Sequence, residues 1–222
     1  MLFIYRFIIN IIIFFLPIIV LFRIIKKKED TKSFIQKIGI YSKKKKNDLV
    51  WFHGSSVGEI LSIIPLIEEL EKNKKIKQIL LTSNTLSSSK VISKLKLNKT
   101  IHQFFPIDSG LIVKKFLKYW NPKIAIFVES EIWPNMILEI KKQRLPLVLL
   151  NARITKKSFN RWKKIEKFSK LLFNKFDLCL VQNNETKAFL KNLGSRNIKK
   201  IGNLKICETK NNLDNQLNLS QK

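Results

Sequence analysis

The sequence predicts an α/β fold: a Rossmann-like, mostly parallel sheet with helices on both faces, preceded by an apolar N-terminal helix. Three observations carry this. From Asp48 onward, short β-rich apolar runs alternate with longer amphipathic stretches, the pattern of strand-helix repeats. The runs are apolar almost throughout rather than at every second residue, as strands covered on both faces must be. Residues 1–25 are nearly all apolar and give way to Lys26, Lys27 and Lys28.

The 222 residues carry 43 Lys+Arg against 16 Asp+Glu, a formal charge of +27 that is mostly lysine. With 45% hydrophobic and 10% aromatic residues, the chain is too apolar for a disordered polycation and can bury a core. The charge favours anionic partners such as phospholipid head groups, phosphorylated sugars, nucleotides or nucleic acid. Lysine is a point charge suited poorly to bidentate base readout, so a nucleic-acid partner is not expected. Cys179 and Cys207 belong to no C-x-x-C or Cys/His cluster, which argues against a disulfide framework or a structural zinc.

Sixteen residues separate Arg6 from Arg23, about 24 Å of helix against a hydrocarbon core of about 30 Å. The segment spans a bilayer if both arginines reach the interfaces. Pro17 kinks it and Asn10 needs a partner, so shallow insertion is equally open. A cleaved signal peptide would end in small residues where this chain has lysines; a buried core helix is the plainest alternative. Arg23, Lys26 to Lys28 and Lys43 to Lys46 place the chain beyond the anchor on the cytoplasmic side. Residues 1–25 are therefore read as a membrane anchor, 26–47 as a basic connector, 48–206 as the Rossmann-like domain and 207–222 as a polar tail.

The expected strands are LVWFH (49–53), QILLTS (78–83), IHQFF (101–105), KIAIFVE (123–129), PLVLLN (146–151) and DLCLVQ (177–182). Val57 to Leu70 reads as one amphipathic helix, with Ile60, Ile63, Ile64 and Ile67 at helical spacing. Sheets of this kind place ligand sites beyond the carboxyl ends of their strands. Neither G-x-G-x-x-G nor G-x-x-x-x-G-K-[ST] occurs, so dinucleotide and Walker-type readings lose support.

Candidate chemistry sits at those strand ends. The first strand runs into His53-Gly54-Ser55-Ser56-Val57-Gly58-Glu59. Ser56 and Glu59 fit a capping box, with the carboxylate returning to the Ser56 amide; Glu59 is also a candidate general base, with Gly58 permitting close approach. A helix start would hold its pKa down, so a base there needs desolvation to strengthen it. The fourth strand ends in Glu129-Ser130-Glu131-Ile132-Trp133-Pro134-Asn135. Ser130 is a candidate N-cap and Glu131 a first-turn acid, while Glu129 needs a ligand or cation if buried, for which Arg153 after Asn151 is available. His53 and His102 read as packed or exposed side chains, and Lys205 in Gly202-Asn203-Leu204-Lys205 as one lysine among many.

The ordered set FHGSSVGE, PID at 106–108, ESEIWPN, PLVLLNARIT, VQNNET and GNLK, behind a basic-flanked apolar N-terminus, resembles 3-deoxy-D-manno-octulosonic acid (Kdo) transferases, glycosyltransferases of the GT-B type. The likeness covers residues 1 to about 206. It implies transfer of Kdo from a CMP-Kdo donor to the lipid A precursor, at the cytoplasmic face of the inner membrane and without metal or other cofactor. By the same resemblance Glu59 is the proton acceptor, and Glu129 and Lys205 stabilise the transition state. Ser56, Gly58, Glu131, Asn151 and Arg153 are the candidate substrate contacts. Anionic inner-membrane lipid and a separately encoded C-terminal half are further expected partners. Where the family carries a T-G pair after the second strand, this chain has Ser87-Ser88. Family chains are about twice as long, so the 222 residues are expected to be the acceptor-binding half, with the donor-binding domain absent. The alternative is a non-catalytic membrane-surface module that binds anionic lipid or phosphorylated glycolipid.

Overall fold

The computed structural model describes residues 1–27 and 29–204; Lys28, Lys205, Cys207 and the expected polar tail lie outside the described residues. Seven strands form one sheet: β1 Leu49–His53, β2 Gln78–Ser83, β3 Thr100–Phe104, β4 Ile124–Val128, β5 Leu147–Ala152, β6 Leu178–Val181 and β7 Ile198–Lys200. Their spatial order is β3-β2-β1-β4-β5-β6-β7. Each neighbouring pair is parallel. The strand order reverses between β1 and β4, the place where such sheets open a crevice. Strand β7, absent from the six expected strands, is three residues long and two of them are exposed lysines.

The helices are α1 Leu2–Phe14, α2 Leu16–Ile25, α3 Thr31–Lys37, α4 Val57–Leu61, α5 Ile64–Lys72, α6 Leu86–Ile92, α7 Gly110–Trp120, α8 Pro134–Lys142, α9 Lys156–Lys163, α10 Glu166–Phe173 and α11 Asn184–Leu193. Successive strand residues feed opposite layers. Trp51, Phe127 and Leu149 pack under Phe116 and Trp120 of α7, Ile137 and Ile140 of α8, and Leu172 of α10. Phe52, Leu81 and Val128 pack with Ile60, Ile64, Ile67 and Ile92 of α4 to α6. This is why the central strands are apolar at most positions instead of alternating.

Two expected helices are each broken in two. The stretch from Val57 to Leu70 divides into α4 and α5 because Pro65 has no N–H to donate and its ring crowds the carbonyl four residues back. The N-terminal segment breaks at Phe15, ahead of Pro17, and α1 and α2 meet at a 60° bend. No single helix among the described residues is long and apolar enough to cross a membrane; the bent pair meets that test only together.

The apolar pair is also tied to the domain. Tyr5 Oη donates to Asp108 Oδ2 at 2.6 Å and Arg6 Nε to Asn135 Oδ1 at 2.9 Å, so Arg6 is held at the start of α8. Arg23 and Lys37 meet the buried Glu29 carboxylate at 3.3 and 2.8 Å. The stretch 26–47, read as a connector, thus contains a capped helix: Asp30 accepts from the Ser33 amide at 2.6 Å. Gln36 Oε1 then accepts from the Phe104 amide at 3.0 Å, fixing α3 at the end of β3. Phe3, Phe7, Phe14, Leu21, Phe22 and Ile25 remain exposed.

Candidate functional site

At the end of β1 the chain turns through Gly54, where an added Cβ would stand 3.2 Å from Ile60 Cδ1 and 3.3 Å from Glu59 Cβ. Any larger residue here would have to push those side chains aside by a few tenths of an ångström. Ser56 caps α4, its Oγ accepting from the Glu59 amide at 3.2 Å. The Glu59 carboxylate reaches one residue further back than the sequence pattern implies: Oε2 accepts from the Ser55 amide at 2.8 Å and Oε1 from Ser56 Oγ at 2.9 Å. Burial pushes the Glu59 carboxyl above its ordinary range, and the negative charges of Glu131 and Glu129 push it the same way against those two hydrogen bonds. The expected lowering is outweighed, chiefly by burial and then by the two like charges nearby.

Those two acids stand in the turn just after β4, the neighbour of β1. Glu129 still donates its amide to Leu150 O at 2.9 Å, yet its φ of 57° lies in the left-handed region. Glu131 is held from two sides. Its Oε2 accepts from Trp133 Nε1 at 2.7 Å and lies 3.1 Å from His53 Nε2. His53 is fully buried, stacked on the Phe105 ring at 3.7 Å, with Nδ1 3.0 Å from Thr82 Oγ1.

Helix α8 starts at Pro134 with Trp133 as its N-cap, so the capping assigned to Ser130 and the first-turn place assigned to Glu131 are both corrected. Asp108 does the capping from another loop, accepting from the Asn135 amide at 2.9 Å and the Met136 amide at 2.7 Å. The same carboxylate takes the Tyr5 hydroxyl. Burial raises the Asp108 carboxyl above its usual range, opposed by these three hydrogen bonds and by Arg6.

Asn151, at the end of β5, is fully buried with φ 52°. Its Oδ1 accepts from the Leu204 amide at 3.2 Å and its carbonyl from Gln182 Nε2 at 2.9 Å. It therefore holds the Gly202-Asn203-Leu204 segment at the carboxyl edge of the sheet, immediately before Lys205, which is outside the described residues. Arg153 is exposed and forms no ion pair among the described residues, so its expected pairing with Glu129 is not seen. Ser56 and Gly58 are exposed beside Glu59.

The fold thus gathers Ser56, Glu59, Glu129 and Glu131 at the crevice, sets Asn151 one strand further along, and leaves Arg153 out. Sequence reasoning missed His53 and Trp133 as supports of Glu131, and Asp108 as the tie between α1 and α8. The signal for His53 was its place on the last residue of the first strand; Trp133 and Asp108 stood in the ESEIWPN and PID segments, but nothing local named their partners. Three carboxylates at the mouth of a parallel sheet suit proton abstraction and the stabilisation of developing positive charge.

A family model described as 3-Deoxy-D-manno-octulosonic-acid transferase (kdotransferase) matches residues 32–207. A 3-deoxy-D-manno-octulosonic acid transferase of Rickettsia bellii is 35% identical over 194 residues, covering 87% of this chain and 46% of that protein. The Rickettsia prowazekii protein of the same description is 38% identical over 164 residues, covering 74% and 35%. This chain thus spans about half the length of the curated relatives it matches, or less. Among solved structures, a UDP-N-acetylglucosamine 2-epimerase aligns with a TM-score of 0.50 at 14% identity, over 71% of this chain and 49% of that one; this likeness concerns the fold alone. With the motif order, the Rossmann-like sheet and a family match over most of its length, the chain belongs to the Kdo transferase family.

Proposed function

We propose that the chain is the acceptor-binding half of an enzyme that moves Kdo from CMP-Kdo to the lipid A precursor in lipopolysaccharide core biosynthesis. The observation that carries this is the meeting of Glu59, Glu129 and Glu131 at the crevice, with Glu59 shifted toward the protonated form. In the proposed step the acceptor hydroxyl oxygen bonds to the anomeric carbon of Kdo, and the bond from that carbon to the CMP phosphate oxygen breaks. Glu59 keeps the hydroxyl proton; a carboxylate of raised pKa is a stronger base for this than an ordinary one. Glu129 supports the positive charge that develops at the sugar. Lys205, next to the segment held by Asn151, offsets charge on the departing phosphate.

The bent apolar pair α1–α2, with its exposed phenylalanines and isoleucines and the lysines after it, supports placement at the cytoplasmic face of the inner membrane. There the acceptor sugar and the crevice share one surface. The test uses the full chain in lipid vesicles with CMP-Kdo and the lipid A precursor, alone and with the C-terminal half of the R. bellii relative supplied. Kdo transfer is expected in the complemented mixture, and Glu59→Ala is expected to lower it by about a hundredfold or more while acceptor retention is unchanged. Undiminished transfer by that variant would remove Glu59 from the mechanism. Acceptor binding without transfer in every mixture would favour a lipid-binding module instead.

A further inference from the structure

Away from the carboxylates, α1 borders an open pocket of about 340 Å³ beside α7 and α8. Its wall includes Arg6 and Asn10 from α1, Gly110 and Lys114 from α7, and Glu139 and Lys142 from α8. Arg6 and Asn10 are four apart and so share one face of the helix; Asn10, the polar residue that an apolar helix must justify, turns into this space. Three cations face one acid. Glu139 is partly answered by Lys142 at 3.5 Å, whereas Lys114 and the terminal guanidinium nitrogens of Arg6 bond to no described residue. The Arg6 guanidinium is pre-oriented, because its Nε is already fixed on Asn135 Oδ1 at 2.9 Å. Amides at the start of α7 are open as well, since Ser109 makes no side-chain cap there.

We propose that this cavity, lined by Arg6, Asn10, Lys114 and Lys142, binds the phosphate group of a membrane lipid. The chemistry selects that ligand: an excess of cations, one of them a guanidinium fork suited to tetrahedral oxyanions, borders a helix whose outer surface is bare Phe and Ile. A soluble anion would gain nothing from that apolar border, whereas a phosphorylated lipid meets cations and hydrocarbon-facing side chains together. The phosphate is carried either by the glycolipid acceptor or by an anionic phospholipid, and both present the same group. The inference rests on the membrane placement proposed above and not on the transfer chemistry.

The test compares the full chain with two triple variants of equal charge: Arg6→Gln, Lys114→Gln, Lys142→Gln in the cavity, and Lys74→Gln, Lys75→Gln, Lys77→Gln as a control at the opposite edge of the sheet. Sedimentation is measured with vesicles of phosphatidylcholine alone, with added phosphatidylglycerol, and with added lipid A. The cavity variant should bind anionic vesicles more weakly than the control, by about fivefold per cation, with neutral vesicles unchanged. Loss on both anionic mixtures identifies a general lipid-phosphate site; loss on lipid A alone identifies the acceptor phosphate. Equal behaviour of the two variants overturns the proposal, as does parent binding that anionic lipid fails to strengthen, which leaves the anchor standing. Failure to bind any vesicle overturns the anchor. Inorganic phosphate titrated onto the detergent-solubilised chain then decides the cavity alone: Gly110 and Leu111 amide shifts in the parent but not in the cavity variant support it, and their absence from the parent refutes it.

Discussion

His53 Nε2 and Glu131 Oε2 lie 3.1 Å apart, joining the last residue of β1 to the turn after β4. The contact makes the site rigid because His53 has no freedom of its own between Phe105 and Thr82. His53→Ala should cost about 2–4 kcal/mol, from the lost ring packing and a half-buried acceptor deprived of its partner. Glu131→Gln keeps one acceptor oxygen and should cost about 1 kcal/mol. Chemical denaturation of both variants checks the order; equal losses would show that the pair is not what holds the turn.

Glu59 gives the fold a pH dependence of known sign. Its ordinary pKa is 4.5 and the folded chain raises it. Between those values the folded state keeps a proton that the unfolded chain has released, so this group's contribution falls as pH rises from about 4.5 and stays lowest above the folded value. Glu59→Gln removes the effect. Its stability relative to the parent should grow over that window and then level off, as read by urea denaturation at a series of pH values. A difference independent of pH would refute the shift.

Glu129 holds φ 57° without being glycine, a conformation that costs a non-glycine residue about 1 kcal/mol or more. Glu129→Gly and Glu129→Ala both delete the carboxylate, so the difference between them reports the backbone alone. Glycine should be the more stable of the two by about 1 kcal/mol, the reverse of the usual order within regular structure. Thermal unfolding of the pair measures it.

The Asn151 side chain reaches Leu204 through one oxygen, Oδ1. Asn151→Ala removes the acceptor for the Leu204 amide, and hydrogen exchange at Leu204 should quicken about five- to tenfold, the equivalent of about 1 kcal/mol. Asn151→Asp keeps an acceptor oxygen and tolerates the left-handed backbone, so exchange should stay near that of the parent. Unchanged exchange in the alanine variant would mean that the segment is held elsewhere.

The parallel sheet, the helices between its strands and the carboxylates themselves follow from the linear order of residues. Short apolar runs bounded by polar residues and alternating with amphipathic stretches read as strands covered on both faces, and acids written directly after such runs emerge at one edge. The kink of the N-terminal segment was legible as Pro17, whereas 57–70 read as one helix because its isoleucine spacing runs straight through Pro65. β7 escaped notice because two exposed lysines carry no apolar signal and only its pairing with β6 makes it a strand.

What the sequence determined by itself was therefore periodicity and position: which segments bury both faces, and which polar residues stand at their ends. What only the tertiary structure decided was partnership. Asp108 caps a helix 26 residues away from it in the chain, counted from Pro134, Arg6 bonds to Asn135 at the start of α8, and Glu131 is fixed by His53 from a different strand. Short-range patterns encode burial because a residue's own side chain sets its transfer free energy. A hydrogen bond or a shifted pKa belongs to two groups brought together by the fold, and no local pattern specifies the second one.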